Sequence, residues 1–265
     1  MRAAQARDVG IGSAIGGFSG LLGVGGGILL VPLLVLVRGM EQKRAQATSL
    51  VMVFTAAAGG AVTYALNSSI AWLPAAFIVV GGLAGSWIGA HTVLRTPDHW
   101  LQLAFGLLLG IVAVRLVLVN TSGQDASEAI ADLTAVSGAG YVLGGVAMGF
   151  LSALFGIGGG IILIPILVTW FGYEQQLASG TSLAVMFPIA LLGALRLSRV
   201  GMTDWRLGLR FGVGAIIGAA IGALLALSLP ATFLRYAFAI VMVIMGVRMM
   251  RQGWVGLRGR RAAIS

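Results

Sequence analysis

Long runs of apolar residues, separated by short polar stretches, repeat along the whole chain. Two of these runs are interrupted by glycine clusters, and six others are continuous. A helix needs about 20 apolar residues to cross the hydrocarbon core of a bilayer. The continuous runs therefore predict six membrane-spanning helices, at 45–66, 72–94, 98–119, 178–198, 205–228 and 231–250. The glycine-broken runs cover 8–38 and 139–171.

The chain is an internal duplication with a constant offset of 133 residues. At this offset Gly23–Gly27 falls on Gly156–Gly160, and Pro32 falls on Pro165. Between positions 16 and 50, 19 of 35 residues are identical to their partners, which shared composition alone does not explain. We therefore expect four parts: a first transmembrane repeat at 1–119, a polar acidic linker at 120–137, a second transmembrane repeat at 138–250, and a basic cytoplasmic tail at 251–265.

Composition assigns the chain to the membrane. Of its 265 residues 58% are hydrophobic and 9% are charged, and the mean hydropathy is +1.00. A soluble domain carries about a quarter charged residues. The net charge of +9 comes from basic residues beside the apolar runs, which is typical of charges that set membrane topology and argues against a nucleic-acid partner. There is no cysteine, which excludes disulfides and thiolate chemistry, and no motif predicts a metal ion or a cofactor.

Basic residues also indicate how each glycine-broken run is folded, because cytoplasmic loops collect Lys and Arg. If each run crosses the membrane once, the 17 basic residues divide 12 to 5 between the two sides. If each run returns to its own side as a re-entrant hairpin, they divide 15 to 2. With a hairpin, each half crosses the membrane three times. Because this number is odd, the two halves have opposite orientations. The predicted fold is therefore an all-α polytopic membrane protein of two inverted repeats, each with a re-entrant segment and three transmembrane helices, and with both termini cytoplasmic.

The glycine clusters are the candidate substrate site. Four glycines in five positions each cost nearly 1 kcal/mol of helix stability relative to alanine, so we expect the chain to turn there. The second arm of each hairpin would then present free N–H groups and the positive end of its dipole, which suits a small anion. Hydroxyls close to the breaks could donate further hydrogen bonds. The predicted substrate-binding residues are Ser19, Gly23, Gly25, Gly26, Gly27, Thr48, Ser49, Ser152, Gly156, Gly158, Gly159, Gly160, Thr181 and Ser182.

Structural alternatives exist for these residues. Glycines often permit close helix packing in membranes, and we prefer that interpretation for the evenly spaced sets Gly81, Gly85, Gly89 and Gly214, Gly218, Gly222. The hydroxyls could instead bond to carbonyls of their own helices. No Asp or Glu lies deep in any predicted span, so a carboxylate proton relay is not visible.

With these residues laid out, the chain resembles the sulfite exporter TauE/SafE family. The resemblance rests on Ser19-Gly-Leu-Leu-Gly-Val-Gly-Gly-Gly-Ile-Leu-Leu-Val-Pro32, on Ala-x-x-Thr-Ser-Leu at 45–50, and on their copies in the second half. It implies movement of small sulfur-containing anions, such as sulfite or organosulfonates, across a bacterial inner membrane. The second copy departs from the first, with Ala153 for Gly20 and Phe155 for Leu22, so site symmetry is not expected to be complete.

Three functions compete at this point. The preferred one is a secondary transporter for a small anion, and a passive anion channel is the second. The third is an intramembrane serine hydrolase, since Gly17–Gly20 matches a G-x-S-G pattern and His91 or His99 could act as a base. Neither histidine recurs in the second half, so we expect no enzyme activity. The expected partners are the anion and the lipid bilayer. The particular anion, the direction of transport, the coupling ion and the oligomeric state are left open.

Overall fold

A computed structural model describes residues 2–97, 99–100, 103–104, 106–107, 110–111, 113–114 and 135–262. All regular secondary structure in these ranges is helical. The helices of the first half are α1 (Arg2–Leu22), α2 (Gly27–Arg38), α3 (Gln42–Leu66) and α4 (Trp72–Val93). Those of the second half are α5 (Ala135–Phe155), α6 (Gly160–Trp170), α7 (Gln175–Arg199), α8 (Trp205–Ser228) and α9 (Ala231–Ala262).

The helices agree with the apolar runs. Within the described ranges, five segments are long and apolar enough to cross a membrane: Gln42–Leu66, Trp72–Val93, Gly138–Phe155, Gln175–Arg199 and Trp205–Ser228. The described positions between 99 and 114 are helical, but most of the predicted span 98–119 and of the linker 120–137 lies outside the described residues. Helix α9 continues through the basic tail to Ala262, beyond the predicted end of the last span at 250.

Both glycine-broken runs are interrupted at the predicted positions. In the first half Gly23, Gly25 and Gly26 have φ angles of 71°, 84° and 67°, between the end of α1 and the start of α2. In the second half the equivalent residues Gly156 and Gly159 have φ angles of 67° and 81°. Residues with a Cβ rarely adopt this left-handed region, so the glycines allow a turn that no other residue makes without strain.

The two ends of each broken run lie side by side. In the first half Arg38, at the end of α2, forms an ion pair with Asp8, near the start of α1. In the second half the ring of Tyr141 stacks on that of Phe171 with centroids 4.1 Å apart, and its hydroxyl lies 3.1 Å from that of Tyr173. Positions 141 and 171 are the copies of 8 and 38 at the 133-residue offset. Each run therefore folds back on itself. The ends of the first run are joined by an ion pair, and those of the second by aromatic side chains.

The two outer helices of each half pack against helices of the other half. Helix α1 packs along α8, and α4 packs along α5. A Cβ on Gly12 or Gly16 of α1 would overlap the backbone of Phe211 or Ala215, so α1 and α8 run in the same direction. The evenly spaced glycines Gly218 and Gly222 meet the backbone of α1 in return, as the packing interpretation expects.

The central helices α3 and α7 occupy equivalent positions in the two halves and pack against each other. A Cβ on Gly60 would lie 2.7 Å from Leu183, and one on Gly193 would lie 3.0 Å from Leu50. Early residues of one helix thus meet late residues of the other, and α3 and α7 run in opposite directions. Their buried faces form the centre of the protein, whereas α8 exposes large apolar side chains such as Val213 and Ile217, as a lipid-facing helix does.

Candidate functional site

The two glycine turns meet each other at the centre of the protein. A Cβ on Gly160 would lie 2.5 Å from the carbonyl oxygen of Gly23, and one on Gly27 would overlap that of Gly156. Each turn therefore lies against the other half's turn with no room for a side chain between them. We call the segments Gly23–Gly27 and Gly156–Gly160 the first and second tips.

The tips carry amide groups with no acceptor. Among the residues that the structure describes, the N–H groups of Gly25, Gly26, Gly158 and Gly159 donate to no carbonyl and to no side chain. Gly26 and Gly159 are also the N-cap residues of α2 and α6, and neither helix has a side-chain cap. The positive ends of two helix dipoles and four free donors are thus brought together, which is an arrangement that suits a negative ligand.

Two buried hydroxyls accompany these amides. Ser19 and Ser152 lie at equivalent positions in the last turn before each tip and are 0% and 1% exposed. Neither Oγ has a hydrogen-bond partner in the described structure. The Cβ of Ser152 lies 3.3 Å from the point that a Cβ on Gly159 would occupy, so this side chain is beside the second tip. Unpartnered buried polar atoms cost about 1–3 kcal/mol each, which makes a paired occurrence notable.

The other four predicted hydroxyls bond to the backbone of the opposite half. Ser49 Oγ lies within hydrogen-bond distance of two carbonyls, that of Gly156 and that of Gln46 in its own helix, and Ser182 Oγ donates to that of Gly23 at 3.1 Å. Thr48 Oγ1 accepts from the amide of Asp204 at 3.1 Å, and Thr181 Oγ1 accepts from that of Ala71 at 3.0 Å. Ser49 and Ser182 thus lie at the opposite tip, whereas Thr48 and Thr181 bond to the residues that precede α8 and α4. All four hydrogen bonds hold the two halves together.

Replacing Ser49 or Ser182 with alanine is expected to lower the stability of the protein by about 1–3 kcal/mol, because each change leaves a buried glycine carbonyl without its donor. Thermal unfolding in detergent measures this loss. Ser228→Ala is the control, since its exposed hydroxyl bonds only to its own helix at Leu225. A raised KM for the anion with unchanged unfolding would instead assign the two hydroxyls to substrate.

Several residues near the tips were not predicted from the sequence. Val53 and Met186 contact both tips, and Met52 contacts the first. Val53 and Met186 could not be found from the repeat, because the two positions are equivalent but carry different residues.

The ion pair of Asp8 and Arg38 was not predicted either. Asp8 is 1% exposed although it lies near the start of α1, and its partner Arg38 also lies over the ring of Phe211 at 5.5 Å. Opposite charges at the two ends of one broken run are the signal that would have found this pair.

Among the described residues, the contacts that join the two ends of the second glycine-broken run involve no charged side chain. Tyr173 lies in the connection between α6 and α7 and is 1% exposed, so burial raises the pKa of its phenol above the ordinary value. Tyr173 and Tyr141 therefore form an uncharged pair.

A shallow groove between α1 and α8, lined by Gly10, Ser13 and Gly222 among others, opens on the outer surface and includes none of the tip residues.

In the part of the chain that the structure describes, five apolar helices of membrane length and two glycine-broken hairpins that meet at the centre form the architecture of a polytopic membrane transport protein. The sequence profile of the family described as sulfite exporter TauE/SafE matches residues 2–116 and 141–264. The chain belongs to this family, and the resemblance carried by the paired glycine motifs is confirmed.

Curated relatives agree with this class. The chain is 29% identical to a "probable membrane transporter protein" of Xylella fastidiosa (strain 9a5c), over 94% of this chain and 96% of the relative. It is 24% identical to the "probable membrane transporter protein YunE" of Bacillus subtilis (strain 168), over 92% of this chain and 96% of that protein. It is 31% identical to the "probable membrane transporter protein MJ0441" of Methanocaldococcus jannaschii, over 70% and 68% respectively. No solved structure matches the chain.

Proposed function

We propose that this protein is a secondary transporter that carries a small anion, sulfite or an organosulfonate, through a site between the two glycine tips. The observation that carries the proposal is the meeting of two helix N-termini whose amides at Gly25, Gly26, Gly158 and Gly159 have no acceptor in the described chain. The family description and the names of the relatives support transport. The sulfur-containing substrate follows from the family description alone.

The proposed site binds its anion with neutral donors. Amides, the hydroxyls of Ser19 and Ser152 and two helix dipoles would share the negative charge. Neutral donors avoid the large desolvation cost of a buried lysine or arginine. They also bind an anion without a full opposing charge, so release to the other side of the membrane is not prevented by an ion pair.

We propose further that the halves are inverted repeats in the membrane. The opposite directions of α3 and α7 support this, as do the shared directions of α1 with α8 and of α4 with α5. Lys43 Nζ, at the start of α3, donates to the carbonyl of Leu94, just after α4, at 3.4 Å. Thr48, also near the start of α3, accepts from Asp204, just before α8. The three connections before α3, after α4 and before α8, all rich in arginine, therefore gather at one end. The positive-inside rule then makes that end, and both termini, cytoplasmic in a bacterial inner membrane. Small movements of one half against the other would open the central site to each side in turn.

A single cysteine tests this topology, because the natural chain has none. Met40→Cys is expected to react with a membrane-impermeant maleimide only from the cytoplasmic side, since position 40 follows a run that returns to its own side. The matched variant Asn67→Cys, in the exposed connection between α3 and α4, is expected to react only from the opposite side. Labelling of position 40 from the periplasm would overturn the re-entrant topology and the inversion with it.

Flux into proteoliposomes tests the transport function. Radiolabelled sulfite, methanesulfonate, acetate and succinate are compared in parallel, with empty liposomes as the background. We expect sulfite or the sulfonate to enter above background and unlabelled anion inside the vesicles to accelerate entry. Uptake without such acceleration would identify a passive channel, and equal entry of all four anions would refute the proposed substrate class.

A further inference from the structure

Val53 of α3 and Met186 of α7 occupy equivalent positions in the two repeats. Both side chains reach the central glycine of both tips. A Cβ on Gly25 would overlap the terminal methyl of Met186 and lie 3.1 Å from Val53 Cγ1. A Cβ on Gly158 would also overlap the Met186 methyl and lie 2.6 Å from Val53 Cγ1. Two apolar side chains therefore cover the point where the tips meet, and the methionine methyl touches both central glycines.

This apolar cover lies where the unpartnered donors are. The amides of Gly25 and Gly158 donate to no acceptor in the described chain, and the Met186 methyl group offers none. The buried hydroxyls of Ser19 and Ser152, also unpartnered, lie one turn from the same tips. An anion that approached these two glycines from the side on which a Cβ would lie would meet the methyl group there.

The two covering residues differ in their ability to move. Valine is branched at Cβ and has one rotatable side-chain bond with strong rotamer preference. Methionine is unbranched and has three rotatable bonds, so it can leave its position without a backbone shift. Its sulfur lies 3.5 Å from Ser182 Oγ, the hydroxyl that donates to the Gly23 carbonyl, so the resting position of Met186 is tied to the contact between the halves.

We propose that Met186 is the specificity-determining residue of the anion site: its side chain covers the tips in the closed protein, swings aside for the anion, and sets the largest anion that fits. The proposal rests on the function proposed above and concerns the size limit of the same site. Val53 is the fixed wall opposite, and the difference between the repeats at this position leaves one mobile side chain over the two central glycines, Gly25 and Gly158.

The test compares transport of methanesulfonate and of the bulkier benzenesulfonate by three purified variants in proteoliposomes. In Met186→Val the cover is shortened, and the flux ratio of benzenesulfonate to methanesulfonate is expected to rise about tenfold, the usual discrimination per missing apolar group in a pocket. In the exchange variant Val53→Met/Met186→Val the methionine is moved to the equivalent position, from which the side chain already reaches both tips. Its flux ratio is expected to return to the wild-type value.

Met242→Val is the matched control. Met242 is fully buried in α9 and is not among the near neighbours of the tip glycines, so the same change there is expected to leave the ratio unaltered. A wild-type ratio in Met186→Val would overturn the assignment of Met186 and leave the site between the tips in place. An equal rise in Met242→Val would also overturn it, because general loosening of the core would then explain the effect. Wild-type protein that carries neither of these sulfonates nor sulfite in the same vesicles would instead refute the proposed function.

Discussion

Gly159→Val is expected to reduce anion flux to the background of empty liposomes. The residue has a φ of 81°, which a β-branched side chain adopts at a cost of about 1–3 kcal/mol. A Cβ there would also lie 2.8 Å from the carbonyl oxygen of Met148, which belongs to the backbone and cannot turn away. The second tip would have to shift, and its free amides would no longer lie beside the first tip.

Gly26→Val tests the first tip in the same way and is expected to be milder in its effect on stability. Its closest neighbours would be the terminal methyl of Met52 at 2.8 Å and the Cγ2 methyl of Ile15 at 2.9 Å, and the Met52 side chain is flexible. Flux is still expected to be lost, because the backbone of the turn cannot keep its φ of 67° without strain.

The repeats supply matched controls for both variants. Gly39 and Gly172 are equivalent positions with φ angles of 63° and 68°, and a Cβ on either would meet nothing within 4 Å. Gly39→Val and Gly172→Val thus impose the same kind of backbone strain, but beyond the C-terminal ends of α2 and α6, whereas the tips lie at the N-terminal ends of these helices. We expect them to retain flux. Normal flux in well-folded Gly26→Val and Gly159→Val would remove the tips from the transport mechanism.

Arg38→Ala is expected to destabilise the protein by about 3 kcal/mol. The change removes the ion-pair partner of Asp8, whose side chain is 1% exposed, and an unpaired buried carboxylate is costly. It also removes the guanidinium from above the Phe211 ring. The denaturation midpoint in detergent measures the loss, and we expect the α1–α2 hairpin to become the most protease-sensitive part of the first half.

The second half offers a designed rescue of this variant. Its hairpin is closed by Tyr141, Phe171 and Tyr173, which occupy the positions of Asp8, Arg38 and Met40. The triple variant Asp8→Tyr/Arg38→Phe/Met40→Tyr copies this neutral closure, in which the two phenols satisfy each other. We expect it to regain most of the lost stability. A triple variant as unstable as Arg38→Ala would show that the ion pair has a role that the aromatic cluster cannot replace.

Much of the fold could be predicted from the sequence. The apolar runs defined the membrane-length helices, because the hydrocarbon core requires a minimum length, and the glycine clusters marked the breaks between α1 and α2 and between α5 and α6. Helix ends could not be predicted from hydropathy in the same way. Helix α9 extends to Ala262, since hydropathy limits only the part of a helix that lipid surrounds and does not end the helix where arginines begin.

The candidate site could be predicted only in part. The glycines and hydroxyls were proposed because both halves carry them, and the glycines, Ser49 and Ser182 do lie together at the tips. Thr48 and Thr181 bond elsewhere. The partners of the hydroxyls could not be read from the sequence. Ser49 and Ser182 bond to the opposite tip, whereas Ser19 and Ser152 have no partner in the described chain, although all four residues recur in both copies. Recurrence identifies a constraint on a residue but does not distinguish a structural hydrogen bond from a binding one.

The sequence by itself determined that this is a duplicated membrane protein, because composition, apolar length and a register of 133 residues are one-dimensional properties. Its paired glycine motifs carried the resemblance to the TauE/SafE family, which the family profile confirms. Only the tertiary structure decided which residues face each other across the two halves. Those contacts join positions more than 100 residues apart, such as Gly27 with Gly156 and Met186 with Gly25. Side-chain reach and helix direction determine such pairs, and neither is encoded in the local pattern. The breaks were visible in the chain, but their meeting at one point depends on how α3 and α7 pack.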